Sequence, residues 1–158
     1  MSTGVKPIPE GYHSVTPYLC IKRAADAMEF YRAAFDTTEL LRIPSPDGSI
    51  GHAEIQIGDS RIMLSDESAE MDFRSPTSIG GTLLYTSIYI WRTLAESPPK
   101  PSPPRGSEEM MVLEDQFWGD RTGTVVDPFE HRWYLSTHKE DLTEEELNAR
   151  VAQLSEGA

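Results

Sequence analysis

The stretch Val15-Thr16-Pro17-Tyr18-Leu19-Cys20-Ile21 predicts a β-strand, and a helical pattern from Ala24 to Phe35 follows it. Two further strands lie on either side of the turn Asp47-Gly48. The second half of the chain has a similar first strand, Leu84 to Ile90, and a similar last hairpin, Val125 to Ser136. This incomplete repeat predicts two related α+β modules, and we expect any ligand to bind between them.

Composition and charge restrict the classes of partner. The chain has 158 residues and a net charge of −12, which fits one acidic domain or two small coupled modules. This charge, with no basic stripe to offset it, argues against nucleic acid and anionic membranes as partners. The single cysteine, Cys20, excludes a disulfide framework within one chain. Because the sequence has neither an apolar run of transmembrane length nor a signal-peptide pattern, we expect a cytoplasmic protein.

The pattern along the chain predicts one domain with an extension at each end. Residues 1–13 are typical of a loose arm, and residues 139–158 of an acidic helix that begins at a capping box of Thr143 and Glu146. The domain between them spans 14–138. It divides into module one, a polar connector and module two, with the bounds 14–66, 67–81 and 82–138.

The strand Ile50–Ile57 supplies the first candidate functional residues. Its residues alternate, so His52, Glu54 and Gln56 share one face while the apolar residues share the other. An imidazole and a carboxylate two residues apart on one strand face can hold a metal, act on a proton, or line a polar cleft.

Several short motifs together resemble a known family. They cover roughly residues 15–90 and 110–143, and in chain order they are Val15-Thr16-Pro17-Tyr18-Leu19, Ala27-Met28-Glu29-Phe30-Tyr31, Pro46-Asp47-Gly48, His52-Ala53-Glu54-Ile55, Ile57-Gly58-Asp59-Ser60, Gly80-Gly81-Thr82, Phe117-Trp118-Gly119-Asp120-Arg121 and Asp127-Pro128-Phe129. In order and spacing the chain resembles the PhnB-like branch of the glyoxalase/bleomycin-resistance superfamily, also called vicinal oxygen chelate proteins. The resemblance implies two βαβββ modules whose curled sheets face each other around a cleft, in a homodimer.

The resemblance also implies where a metal would be bound. Its ligand positions correspond to Thr16, Glu54, Ser87 and Tyr134, and only Glu54 among these is a good ligand. We therefore expect no metal and no other cofactor. The alternative is a metal-dependent lyase or dioxygenase that uses His52 and Glu54 with a further ligand.

The function expected from the resemblance is the binding of a small molecule, with no catalytic residues identified. The ligand would lie in the cleft between the modules, lined by Thr16, Tyr18, His52, Glu54, Tyr89, Trp118 and Tyr134. A third hypothesis is an inactive family member that only folds and dimerises.

The segment from Trp91 to Ser107 departs from the repeat. The family has a helix here, but this chain has five prolines within residues 98–104, and an interior proline costs a helix about 3 kcal/mol. We predict that the helix of module two is disrupted, by a natural proline-rich loop or by a frame-shifted reading of 91–107. Asp36 and Glu130 also stand where the family favours glycine, so they cost stability if these positions require a positive φ.

Overall fold

The computed structural model describes residues 6–81, 87–91 and 106–156 of the chain. The chain divides into two compact units, Met1–Gly81 and Thr82–Ala158. Each unit has one four-stranded sheet, and each sheet contains both parallel and antiparallel pairs. The prediction of an α+β fold made of two related modules is confirmed.

The first unit has the element order of a βαβββ module. Its elements are β1 (Tyr18–Ile21), α1 (Ala24–Phe35), β2 (Thr38–Pro44), β3 (Ile50–Ile57) and β4 (Ser60–Asp66), followed by a 3-10 turn at Pro76–Ser78. The strands lie in the order β1-β4-β3-β2, with β1 parallel to β4 and the other pairs antiparallel.

The core of this unit lies between α1 and one face of the sheet. The helix buries an apolar stripe of Ala24, Ala27, Met28, Tyr31 and Phe35. The strands that α1 contacts bury the alternate residues Leu19, Ile21, Ala53, Ile55, Ile62 and Leu64. Because successive residues of a strand point to opposite faces, the residues between these lie on the face away from the helix.

Asp66 joins the helix to the sheet. One of its carboxylate oxygens accepts the backbone N–H of Ala24 at 2.9 Å, and the other accepts that of Ile50 at 2.8 Å. The first N–H groups of a helix have no partner within the helix. Asp66 therefore satisfies one of them and fixes the start of α1 beside the start of β3.

The second unit repeats the sheet of the first. Its elements are β5 (Ser87–Trp91), β6 (Glu108–Asp115), β7 (Asp120–Val126), β8 (Arg132–His138) and α2 (Glu144–Glu156). The order is β5-β8-β7-β6, with β5 parallel to β8. Tyr18 pairs with Met63 in the first sheet, and Tyr89 pairs with Tyr134 in the second, so equivalent strands have the same topology.

Three predicted boundaries were wrong. The first strand begins at Tyr18 rather than Val15, because Pro17 has no N–H to give the ladder and contributes only its carbonyl, which accepts Met63 N–H at 2.9 Å. The last hairpin extends over 120–138 rather than 125–136, since ladder hydrogen bonds continue through polar residues that an apolar pattern does not mark. The strand predicted to end at Ile90 continues to Trp91.

Local features at the turns and at the second helix follow the sequence. Asp36 has φ 56° and Glu130 has φ 69°, so the condition of a positive φ is met at both positions. The capping box is also present: the Glu146 carboxylate accepts Thr143 N–H at 2.9 Å, and the Thr143 hydroxyl accepts Glu146 N–H at 3.3 Å.

Two predictions concern parts of the chain that lie partly or wholly outside the described residues. The disrupted helix of module two falls largely on 92–105, and the first residues of the strand predicted from Leu84 fall on 82–86. Among the described residues, neither helix has the length and the apolar character needed to span a bilayer.

Candidate functional site

Tyr18, His52 and Glu54 lie together on the face of the first sheet opposite α1. Tyr18 on β1 pairs with Met63 on β4, and Met63 pairs with Glu54 on β3. Residues paired across neighbouring strands share a face, and His52 lies two residues from Glu54 on the same strand. This face, which we call the open face, therefore carries a phenol, an imidazole and a carboxylate.

Hydrogen bonds connect these three side chains in a row. The Tyr18 hydroxyl lies 3.1 Å from His52 Nδ1, and His52 Nε2 lies 3.4 Å from a carboxylate oxygen of Glu54. Tyr18 is 44% exposed, whereas the side chains of His52 and Glu54 are 26% and 10% exposed. The row therefore runs from a phenol in contact with solvent to a carboxylate that is almost buried.

Arg61 and Tyr12 complete the surroundings of Glu54. Arg61 Nη1 lies 3.3 Å from the second carboxylate oxygen, and the guanidinium carbon lies 4.4 Å from the centroid of the Tyr12 ring. The hydrogen bond from Tyr12 is the main reason that the pKa of Glu54 is lowered, with His52 and Arg61 lowering it further against the effect of burial. The same hydrogen bond raises the pKa of Tyr12. Glu54 is therefore an ionised carboxylate held by neighbouring donors.

The N-terminal arm reaches the site at Gly11 and Tyr12. Gly11 has φ 80°, and a Cβ atom built there would lie 2.7 Å from Arg61 Nη2. The positive φ favours glycine here, and a Cβ atom would also displace the Arg61 guanidinium. Gly11 and Tyr12 are thus part of the site.

Phe73 adds an apolar wall beside Tyr18. The two rings meet edge to face, with centroids 5.6 Å apart and planes at 77°, an arrangement that aromatic pairs favour. The backbone of Phe73 is held by hydrogen bonds in both directions with Ser68, at 2.8 and 3.0 Å. The connector loop therefore presents Phe73 in a fixed position at the edge of the open face.

The remaining predicted cleft residues fall into two groups. In the first unit, Thr16 is half-buried and lies two residues before β1. In the second unit, Tyr89 and Tyr134 are register partners, and Trp118 lies in the turn between β6 and β7, 38% exposed and edge to face with Phe117. The grouping of all seven residues in one cleft stays a prediction.

Sequence reasoning missed three members of the site: Tyr12, Arg61 and Phe73. Arg61 pairs with Gln56 across the β3–β4 hairpin, so the hairpin register at Gly58-Asp59 was a signal that could have placed it on the face of Glu54. Tyr12 and Phe73 lie outside the sheet. Strand and helix periodicity carries no signal for such residues.

The residues at the implied metal position do not fit a divalent metal. In the described part of the chain, no three His, Cys, Asp or Glu side chains are grouped so as to hold one. At Glu54 itself, the guanidinium of Arg61 lies 3.3 Å from one carboxylate oxygen and would repel a cation there. The other oxygen faces His52 Nε2, which makes the two side chains partners of each other rather than joint ligands.

Comparison of the sequence with known proteins identifies mycobacterial relatives. No family model matches the chain. An uncharacterized protein of Mycobacterium bovis is 35% identical over 147 residues, which cover 91% of this chain and 95% of that protein. An uncharacterized protein of Mycobacterium tuberculosis strain H37Rv has the same identity over the same length and is covered to 85%.

Comparison with solved structures identifies proteins of similar fold. TioX from Micromonospora sp. ML1 has a TM-score of 0.59 and 21% identity, over 83% of this chain and all of that one. A putative 3-demethylubiquinone-9 3-methyltransferase, PhnB protein, from Bacillus cereus has a TM-score of 0.59 and 17% identity, over 79% and 99%. A glyoxalase/bleomycin resistance protein/dioxygenase family enzyme from Burkholderia phytofirmans has a TM-score of 0.59 and 15% identity, over 77% and 94%. By sequence the chain belongs to the family of the mycobacterial proteins, and its fold is similar to that of glyoxalase/bleomycin resistance/dioxygenase proteins.

Proposed function

We propose that this protein binds a small molecule on the open face of its first sheet, without a metal. The observation that carries the proposal is the row Tyr18–His52–Glu54, an ordered set of polar groups on a sheet face that the helix of its unit does not cover. Polar groups held in fixed positions beside aromatic rings are typical of small-molecule sites.

The electrostatics of the row support a binding role. The side chain of Glu54 is only 10% exposed, so its charge requires compensation. Tyr12, His52 and Arg61 supply it with hydrogen bonds and opposite charge. Ionisable groups with perturbed pKa values, gathered at one place, are more frequent at functional sites than elsewhere. Tyr18 and Phe73 add the apolar surface that a flat ligand needs.

A second copy of the chain is proposed as the protein partner. β6 lies at the edge of the second sheet, and Met110, Met111 and Val112 on it are 51%, 49% and 63% exposed. An uncovered apolar edge strand favours pairing or aggregation. We propose that a homodimer covers this edge.

Ligand screening of the metal-stripped protein by thermal shift tests the binding proposal. The expected result is a compound that raises the Tm of wild type and of the control Glu29→Gln, and raises that of His52→Gln much less. Glu29 is exposed on α1, which covers the opposite face of the sheet, so its change leaves the open face intact.

Elemental analysis of the natively purified protein separates the competing hypotheses. A divalent metal near one equivalent per chain, lost in Glu54→Ala, would contradict the metal-free proposal and favour a lyase or dioxygenase. No metal and no stabilising compound would favour an inactive dimerising protein.

A further inference from the structure

We infer that Tyr18, His52 and Glu54 form a directional hydrogen-bond relay that presents the Tyr18 oxygen to the ligand as an acceptor. This acceptor selects a ligand that is flat or aromatic and carries an O–H or N–H donor. The inference rests on the proposed binding face and adds to it the chemistry of the group recognised there.

The direction of the relay follows from Glu54. An ionised carboxylate can only accept hydrogen bonds, so His52 Nε2, at 3.4 Å, carries the proton of this contact. In a neutral imidazole the other nitrogen is then a lone-pair acceptor. His52 Nδ1, 3.1 Å from the Tyr18 oxygen, therefore accepts the hydrogen of the Tyr18 hydroxyl.

Arg61 and Tyr12 fix this direction by keeping Glu54 ionised. The Arg61 guanidinium lies 3.3 Å from the carboxylate, and the Tyr12 hydroxyl donates a hydrogen bond to it. Both contacts favour the ionised form of Glu54. Glu54 acts on the ligand only through His52, so it is a positioning residue. The same holds for Arg61 and Tyr12, which act through Glu54.

The Tyr18 oxygen keeps lone pairs that can accept a hydrogen bond. Its one hydrogen is engaged by His52, and the residue is 44% exposed. A ligand atom that meets this oxygen has to donate a hydrogen. Since Phe73 stands edge to face with the Tyr18 ring, the ligand's neighbouring surface is best apolar and flat.

With an acidic ligand the relay can also move a proton. The ligand O–H bond breaks as its proton passes to the Tyr18 oxygen, while the Tyr18 hydrogen passes to His52 Nδ1. The products are a ligand anion, a neutral Tyr18 and an imidazolium whose Nε2–H donates to the Glu54 carboxylate. Charge and atoms balance without an oxidant or a reductant, and the logic is that of a nucleophile, base and carboxylate arranged in series.

The tautomer of His52 tests the direction of the relay without any ligand. Long-range 1H–15N correlation spectra of the intact protein at a pH where His52 is neutral report which ring nitrogen carries the proton. We expect Nε2–H for His52, more completely than for the exposed His13, and a loss of this difference in Glu54→Ala, which removes the acceptor. Protonation of Nδ1 would overturn the inference, and so would a tautomer ratio unchanged by Glu54→Ala.

Paired probes test the ligand class. Phenol can donate a hydrogen bond, and anisole, its methyl ether, can only accept one. We expect phenol to perturb the Tyr18 and His52 resonances with an affinity roughly 3- to 10-fold higher than anisole, the worth of one hydrogen bond, and Tyr18→Phe to remove this preference. Equal binding of the two probes, or a preference that survives in Tyr18→Phe, would overturn the inference.

The results of these experiments distinguish a failure of the relay from a failure of the binding proposal. If a screened compound binds the open face with the same affinity in wild type and Tyr18→Phe, small-molecule binding stands and the relay is wrong. If no compound, phenol included, perturbs the open face, the binding proposal fails, and the ligand class fails with it. The tautomer measurement still decides the direction of the relay in that case.

Discussion

At the scale of single residues, the side chain of Asp127 holds the turn after β7 by hydrogen bonds. Its buried carboxylate accepts the backbone N–H groups of Phe129 and His131 at 2.8 and 2.9 Å and the indole Nε1–H of Trp133 at 2.8 Å. It thereby shapes the turn after β7 and ties it to Trp133, which is fully buried.

We predict that Asp127→Asn destabilises the protein by about 3 kcal/mol, because the amide cannot replace the charged acceptor for all these donors. Urea unfolding followed by tryptophan fluorescence measures the loss. The matched control is Asp47→Asn in the exposed β2–β3 turn, where the carboxylate accepts the backbone N–H and the hydroxyl of Ser49. Equal losses in the two variants would show that burial of Asp127 is not the cause.

Glu130 carries backbone strain in the same turn. Its φ of 69° lies in the left-handed region, which is unfavourable for a residue with a Cβ atom. We predict that Glu130→Gly stabilises the protein by about 1 kcal/mol, measured as an increased free energy of unfolding in urea. Glu130→Ala keeps the Cβ atom and should give no such gain. A gain of the same size from alanine would point to the lost charge instead.

Cys20 is a structural thiol. It is 8% exposed, and burial, followed by the nearby charges of Glu67 and Asp66, raises the pKa of its thiol to about 11. Because the thiolate is the reactive form, we predict negligible labelling by a thiol reagent in the native protein at about pH 8 and rapid labelling in denaturing urea. Fast labelling of the native protein would contradict the buried position of β1.

At the scale of elements, ion pairs of His138 connect the end of β8 to the start of β7 and to the segment before α2. His138 at the end of β8 lies with Nδ1 2.9 Å from Asp120 and Nε2 2.9 Å from Asp141. The hydrogen bonds to Asp141 and then Asp120 raise the pKa of His138 above its ordinary value of 6.5. Arg150 on α2 also donates to the Phe117 carbonyl at 3.1 Å.

This contact makes part of the stability depend on pH. A group whose pKa is higher in the folded state contributes in full below its unfolded pKa and loses that contribution as the pH rises through the folded pKa. We predict that His138→Gln is less stable than wild type at about pH 6 and similar to it at about pH 9. Urea unfolding at the two pH values measures this, with His13→Gln as the control. A pH-independent difference would show that the charge of His138 is not involved.

The elements also show which predictions a local pattern can support. The bounds of α1 and β3 were predicted from apolar spacing and alternation, because each buries one side against the core. The start of β1 was predicted wrongly, because it depends on where Pro17, which has no N–H to donate, lies beside β4. In the site, alternation placed His52 and Glu54 on one face, but their contact with Tyr18 required the pairing of β1 with β4.

At the scale of the whole molecule, the two units share one sheet topology, and the edge strands β2 and β6 both expose apolar side chains. The run Met110 to Val112 on β6 is the more exposed of the two. We predict that sedimentation equilibrium finds a dimer, and that the double variant Met110→Lys, Val112→Lys shifts it towards monomer. Met71→Lys is the control, because Met71 is 74% exposed in a loop of the first unit. A monomer in the wild type, or a dimer insensitive to the β6 changes, would rule out this interface.

The sequence by itself determined the two-module α+β fold, the helix over 24–35, the polar side of β3 and the capping box of α2, because these depend on neighbours a few residues apart. A cytoplasmic location and a cleft between the modules stay predictions of the sequence. Only the tertiary structure brought Tyr12, Arg61 and Phe73 to the row Tyr18–His52–Glu54. The physical reason is that strand register and loop packing, not local periodicity, decide which side chains far apart in the chain come within hydrogen-bond distance.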